Sequence, residues 1–415
     1  MLNPQTGQRE LCYVVKIDDI KPIPGRDRVE SARVGGWTVM TRLGQFKPGD
    51  LGIYFEIDSK CPAKEPFEFL AAKHYKIKTQ KYAIKDENGN KLGQYWSQGL
   101  LMSFEDFDKN GFQSYMEDNG LTGYMNGKYY HEGDFLTQEL GVTYADPDDN
   151  ARKAKSVDKY KKMAQRHGKL FSKPIFKWLM RRTWGKKLLF IFFGKAKDKR
   201  VWPSHIASKT DVERIQNMIY ILNDKQPFVA TEKVDGSSCS VMAERDRFGK
   251  IKKYVCSRNV VFDDPKAECY YDTNIYFEAY EKYNLGDKIE QMLKDLNLPN
   301  LAIQMEVYGD GVQKRNYSLK DGERKIAVFH ILSDNVKMPM DKVVELCEKY
   351  DLPHVPILND NYILPDTIEE LQTYVEGETS KIDGLEKEGI VFYDKATGTQ
   401  YFKFVSPNFL MKYHG

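Results

Sequence analysis

The sequence predicts an α+β protein built from a small β-barrel, a basic connecting segment and a larger strand-rich domain. Three observations carry that prediction. Short alternating strands broken by Gly and Pro fill the first third of the chain. Longer apolar strands, each interrupted by one charged or aromatic residue, fill the second half, and a block of one sign of charge lies between. At 415 residues the chain is long enough for two or three separate cores.

The barrel elements run from Leu11 to Leu140. Cys12-Tyr13-Val14-Val15-Lys16-Ile17 alternates as a strand, Lys21-Pro22-Ile23-Pro24-Gly25 reads as a turn, and Gly35-Gly36-Trp37-Thr38-Val39-Met40 leads into another strand. Phe46-Lys47-Pro48-Gly49-Asp50 is a second turn, with the strand Leu51 to Ile57 behind it. Several short strands with this punctuation suggest a small barrel. The expected divisions are 1–145 for this region, 146–200 for the segment after it and 201–415 for the second domain.

From Ala151 to Arg200, 18 Lys or Arg stand against two acids, Asp158 and Asp198; this +16 within a chain of total charge +3 leaves −13 for the remainder. A charge run of this kind is commonly a solvated arm or helix face. Here Phe171, Phe176, Trp178, Trp184, Phe190, Phe192 and Phe193 interleave with the cations. Bases stack on aromatic faces while phosphates pair with cations, so nucleic-acid contact is the second reading of this insertion or linker.

After the block, Trp202-Pro203-Ser204-His205-Ile206 and Lys209 to Asn217 precede the apolar run Phe228-Val229-Ala230. Two readings of Thr210 to Arg214 stand open: Thr210 caps a helix and leaves Arg214 exposed, or Arg214 or Lys209 presents a cation to a phosphate. The run then enters Thr231-Glu232-Lys233-Val234-Asp235-Gly236, which has the pattern of an amine nucleophile. A lysine amine is almost fully protonated at neutral pH, so attack on phosphorus needs a site that lowers its pKa or draws off its proton. Gly236 permits close approach of backbone and ligand, and Asp235 offers an oxygen to metal-bound water. By itself this four-letter pattern also fits a surface lysine before an Asp-Gly turn.

The order of residues further along the chain strengthens the catalytic reading. Ser257-Arg258-Asn259 comes after a hairpin turning at Phe248-Gly249-Lys250. The strand Leu301 to Gly309 sets Glu306 within apolar neighbours, Ile326 to Leu332 contains Phe329, Glu388 opens the strand Gly389-Ile390-Val391-Phe392, and Tyr401 to Val405 carries Lys403.

This ordered set resembles the covalent nucleotidyltransferases, the superfamily of ATP-dependent DNA ligases, RNA ligases and mRNA capping enzymes. Lys233-Val234-Asp235-Gly236 looks like its nucleophile motif, Ser257-Arg258 its ribose and phosphate contact, Glu306 and Phe329 its third motif, Glu388-Gly389-Ile390-Val391 its fourth and Lys403 its fifth. Glu232 before the lysine and the Glu-Gly-Ile-Val form are most like the RNA ligases. Ile23 to Glu30, Phe46 to Asp50 and Ser97-Gln98-Gly99-Leu100 further resemble the N-terminal OB-fold domain of the Deinococcus and Naegleria type, RNA ligase 5.

The resemblance implies an OB-like barrel followed by a nucleotidyltransferase domain of two antiparallel sheets flanked by helices. It also implies an ATP-dependent RNA ligase that joins 3′-hydroxyl and 5′-phosphate ends at a nick through lysyl-AMP on Lys233 and an adenylylated 5′ end. Phe329 would stack on adenine, Glu232 would accept from its amino group, and Gly236, Arg258, Arg214 and Lys403 would border ribose and phosphates. Asp235, Glu306 and Glu388 would hold a hydrated magnesium or manganese ion. Many ligases carry Lys-x-Lys in the fifth motif, whereas the second position here is Val405, which leaves that role unassigned. The barrel and the basic segment would hold nicked RNA or an RNA-containing duplex.

Two other classes remain open: a DNA ligase or GTP-using capping enzyme, and a non-catalytic protein that binds RNA ends. The chain stops at Gly415, 12 residues past Lys403, which fits no C-terminal OB domain of the DNA ligase or capping kind. Six cysteines without Cys-x-x-Cys spacing disfavour zinc and disulfides and suit a reducing intracellular compartment such as the cytoplasm. The N-terminus lacks the apolar core of a signal peptide, and the longest apolar run, Leu188 to Phe193, is too short to span a bilayer, so no membrane partner is expected.

Overall fold

The computed structural model describes residues 1–6, 8–85, 90–117, 120–145, 168–193, 201–262, 264–267, 269–398 and 401–414. The chain forms two compact units, one of Met1–Ala145 with Pro203–Gly415 and one of Asp146–Trp202.

In the N-terminal part of the first unit, Leu51–Phe55 lies between Cys12–Lys16 and Leu100–Met102, antiparallel to both. Asp19–Pro22, Val29–Val34 and Trp37–Arg42 form a second small sheet, and Phe112–Glu117, Gly120–Met125 and Lys128–Tyr130 a third. These strands wrap two apolar clusters, one around Phe55, Phe67 and Phe104 and one around Tyr13, Trp37 and Tyr54. The turn expected from Lys21 is shorter than its sequence suggests. Lys21 and Pro22 belong to the strand Asp19–Pro22, and the turn begins only at Pro24. The strand is at the edge of its sheet, where a proline costs no ladder hydrogen bond.

The C-terminal part carries two sheets. Six strands run in the order Val261–Phe262, Ile251–Ser257, Ser237–Arg245, Asn300–Gly309, Arg324–Ser333, Val336–Lys337, every pair antiparallel. Five run in the order Glu213–Arg214, Tyr401–Val405, Gly389–Asp394, Pro227–Lys233, Ile357–Ile363, antiparallel except for Glu213–Arg214. The Phe248-Gly249-Lys250 turn closes its hairpin as expected, with Gly249 at φ 80°.

Helices cover the outer faces because their sequences repeat apolar residues at helical spacing. In Leu285–Asp295, residues Leu285, Ile289, Met292 and Leu293 are all buried, with Asp287 in the first turn and Lys294 in the last. This helix joins Ile275–Lys282 and Met340–Lys349 against Cys239, Val241, Ile303 and Met305 of the larger sheet, while Ile368–Gly377 covers Phe228, Ala230 and Phe392 of the smaller one.

Strand alternation then sends the remaining side chains to the opposite faces. Leu301, Ile303, Met305 and Val307 enter the helix-covered core, so Gln304, Glu306 and Tyr308 face the other way. Phe228 and Ala230 likewise leave Val229, Thr231 and Lys233 on the second face of their strand.

The second unit contains the helices Gly168–Phe171, Pro174–Met180 and Thr183–Phe193. Phe171 and Leu189 are buried, with Leu170, Phe176, Leu179, Met180 and Phe193 packed on them. The rest of the Ala151–Arg200 block, Phe190's side chain included, lies outside the described residues. Among those residues no helix is long and apolar enough to cross a membrane. All six cysteines are free thiols.

Candidate active site

Lys233 is the last residue of Pro227–Lys233 and pairs across to Gly389, which places its side chain beside the residue that precedes that strand. Lys233 Nζ donates to Glu388 Oε2 at 2.7 Å, the two side chains being 24% and 11% exposed. Glycine is required at position 389, because a Cβ there would lie 2.1 Å from the Phe404 carbonyl oxygen. The same constraint acts at Gly236, where a Cβ would meet the Val307 carbonyl at 2.4 Å and Glu306 Cγ at 2.8 Å. The close approach expected at Gly236 is thus made by the strand that carries Glu306, which pairs with Ser238.

Three carboxylates surround the amine electrostatically. Burial disfavours the Lys233 charge, but Glu388, Glu306 and Asp235 outweigh it and hold the pKa above the usual lysine value. Burial drives the Glu306 carboxyl up to about 8, with Glu388 and Asp235 adding to the rise and Lys233 and Arg258 opposing it. Burial also raises Glu388, against the pull of Lys233. Without nucleotide the site therefore stabilises a protonated amine.

Asp235 is anchored through its backbone N–H, which donates to the Tyr317 hydroxyl. One carboxylate oxygen faces His414 Nε2 at 3.6 Å, and Oδ2 is buried without a hydrogen-bond partner. These oxygens fit a hard cation in type and in unmet capacity. Among the described residues, however, no group of three or more His, Cys, Asp or Glu is placed to hold a metal ion.

The cations reach the site by different routes. Lys403 pairs with Val391 on one side and, in parallel register, with Arg214 on the other. Burial lowers its pKa well below the usual lysine range, and Arg9, Arg214 and Lys233 push in the same direction. Arg214 is buried; it donates to Asp58 Oδ2 at 3.1 Å and lies over the Trp37 ring. The helix-capping alternative is therefore wrong. Thr210 caps no helix and meets Ser238 instead: Glu213–Arg214 joins the sheet edge as a short parallel strand, and the single 3-10 turn Ile215–Asn217 begins only after Arg214. Arg258 is half-buried and donates to Asp211.

Phe329 owes its place to a β-bulge. The ladder passes from Gln304–His330 to Met305–Val328, so Phe329 is the extra residue and leaves the alternation of its strand. It packs, half-buried, on the cluster of Val234, Tyr308, Tyr317, Ala327 and Val355. Glu232 accepts from Ser380 Oγ and the Lys381 N–H, which ties the 380s loop to the strand Pro227–Lys233. A carboxylate has further lone pairs, so this engagement leaves it able to accept another donor.

Several site residues carry no local sequence signal. Arg315 and Asp383 form an ion pair at 2.6 Å with side chains only 3% and 2% exposed, and Arg315 also donates to the Glu386 carbonyl and lies over the Tyr317 ring. The pair fixes the loop that leads into Glu388. His414 comes from beyond the last helix, Pro407–Tyr413, which Ser406 caps.

With this geometry in place, two family models match the chain. Residues 11–104 match an OB-fold domain, and residues 226–414 match RNA ligase. An OB-fold domain followed by a segment that matches RNA ligase defines the class of protein the chain resembles. Among solved structures it is similar to the Naegleria gruberi RNA ligase with pyrophosphate, at 24% identity and a TM-score of 0.68, covering 98% of this chain and 99% of that one. A mutant of the same ligase with ATP and Mn gives 24% identity and 0.67, covering 98% of each chain. Another with AMP and Mn gives 23% and 0.66, covering 98% and 99%. At this identity the likeness establishes the shared fold. No curated protein sequence matches the chain.

Proposed function

We propose that the chain is an ATP-dependent RNA ligase that seals 3′-hydroxyl and 5′-phosphate ends through lysyl-AMP on Lys233. The observation that carries this reading is the Lys233 amine at the end of a central strand, 2.7 Å from Glu388, amid Asp235, Glu306 and Lys403. The relatives whose structures hold ATP, AMP and Mn support the choice of nucleotide and of divalent ion.

In the first step Lys233 Nζ bonds to the α-phosphorus of ATP and the bond to pyrophosphate breaks. The ammonium proton must leave before the nitrogen can attack, and Glu388 is already hydrogen-bonded to it with a carboxyl that burial has made more basic. Arg258 and Arg214 supply positive charge toward phosphates, Lys403 joins them once a phosphate offsets the burial that lowers its pKa, and Phe329 offers the half-exposed ring for adenine. Glu232 accepts from the adenine amino group while it holds the 380s loop. A magnesium or manganese ion held by Asp235, Glu306 and Glu388 with its remaining water would offset charge at the α-phosphate. AMP then passes to the 5′-phosphate end, and the 3′-hydroxyl displaces it to form the phosphodiester.

Incubation with α-labelled ATP or GTP tests the first step. ATP labels the protein and Lys233→Ala abolishes the label; unchanged incorporation in Lys233→Ala removes the nucleophile assignment, and labelling by GTP instead points to capping chemistry. Sealing of nicks whose 3′-hydroxyl strand ends in RNA or DNA tests the substrate. Equal sealing of both rejects the RNA requirement, for which an A-form geometry or a 2′-hydroxyl contact is needed.

A further inference from the structure

We propose that the helical unit Gly168–Phe193 is a docking surface for an RNA strand, with bases stacked on Trp178 and Trp184 and phosphates paired with the cations around them. The inference rests on the ligase reading and names a second place where the substrate of that reaction is held.

The unit has its own small core, so the side chains left outside are not merely those of an unfolded arm. Seven Lys or Arg and no acid occur from Gly168 to Phe193. Trp178 and Trp184 are 48% and 52% exposed and stand edge to face with centroids 6.0 Å apart. The Arg182 guanidinium lies 4.5 Å above the Trp178 ring. Arg181, Lys177 and Lys187 are exposed nearby in sequence. A strand of RNA repeats a flat base and a charged phosphate at each nucleotide, and adjoining indoles with cations beside them complement both. Charge balance points the same way. The chain outside the basic block sums to −13, so long-range attraction for a polyanion is concentrated within that block.

An anionic lipid surface would use the same cations with the exposed apolar residues Ile175, Leu188 and Phe192. The Arg182–Trp178 stack and the polyanionic substrate of an RNA ligase favour RNA, and the experiment separates the two.

The full chain is titrated into a fluorescent 5′-phosphorylated single-stranded RNA at several salt concentrations, and into vesicles of phosphatidylcholine with phosphatidylserine. Lysyl-AMP formation, which needs no RNA, is measured on each preparation. Trp178→Ala with Trp184→Ala weakens RNA binding about tenfold or more, as loss of base stacking requires. Trp178→Phe with Trp184→Phe restores most of it. Lys177→Gln, Arg181→Gln and Lys187→Gln together reduce the slope of log affinity against log salt by about 2, at roughly 0.7 per single-strand phosphate contact. RNA affinity within about twofold of the unmodified protein in both the Ala and Gln variants overturns the proposal. So does vesicle binding that these substitutions abolish while RNA affinity holds. Unmodified protein that forms no lysyl-AMP while the substitutions still lower RNA affinity would instead defeat the ligase reading and leave the docking surface standing.

Discussion

The cleft around Lys233 and the helical unit Gly168–Phe193 use charge in opposite ways. In the cleft the charged groups are largely buried and of both signs, and several are committed to a named partner: Lys233 to Glu388, Arg315 to Asp383, Arg258 to Asp211. In the helical unit most of the cations are exposed and no acid accompanies them. A buried charge that loses its partner keeps its desolvation cost, whereas an exposed cation that is removed takes away one increment of attraction. Loss in the cleft is therefore specific to position, and loss in the helical unit is graded by number.

The largest separation between the regions is expected at Arg315–Asp383. Asp383→Ala strands a guanidinium that is 3% exposed and should cost about 3–5 kcal/mol of stability, measured by urea denaturation. Replacing both partners, Arg315→Met with Asp383→Leu, should recover most of that loss. The 380s loop also holds Glu232, so Asp383→Ala should depress lysyl-AMP formation too. A cost below about 1 kcal/mol would mean that this pair behaves like one on the surface.

An effect of comparable size, spread over a pH range and with a definite sign, concerns Glu306. Burial raises its carboxyl to about 8 in the folded protein, against 4.5 for the ordinary group. Between those values the folded state keeps a proton that the unfolded state has released, so stability falls as pH rises from roughly 4.5 to 8 and then levels off. Its favourable contribution is complete below the lower value. Glu306→Gln, which is neutral in both states, should flatten that decline, and urea midpoints at pH 5 and pH 8 without nucleotide would show it. An identical decline in the variant would mean that other groups set it.

How far the sequence foretells the cleft depends on whether the cause is local. Lys233, Glu306, Glu388 and Lys403 each belong to a strand whose apolar pattern is written in adjacent residues, and each lies on or immediately before the strand expected. The bulge at Phe329 arises from register between two strands and has no mark within either one. Arg315 and Asp383 are 68 residues apart, in loops whose composition suggests only turns. One of the two readings of Arg214 fails because Thr210 resembles a helix cap locally, while pairing with the Tyr401–Val405 strand decides the outcome. Pro22 resembles a turn residue because the edge position that tolerates it is a property of the sheet. The raised pKa of Lys233 is also largely nonlocal in origin, since its two leading carboxylates, Glu388 and Glu306, come from distant parts of the chain and only Asp235 is near in sequence.

The smallest effect belongs to single cations of the helical unit. Lys187 is exposed on Thr183–Phe193, and Lys187→Gln removes no buried contact. Stability should stay within about 0.5 kcal/mol of the unmodified protein. RNA affinity should fall only about two- to threefold at low salt, and the salt slope should drop by about 0.7, the increment of one phosphate contact on a single strand. The same change at Arg181 should give a similar loss, and the two should add, because exposed cations share no buried partner through which to couple. A tenfold loss from either alone, or strong non-additivity between them, would show that the unit holds a shaped ionic site and would bring it closer in kind to the cleft.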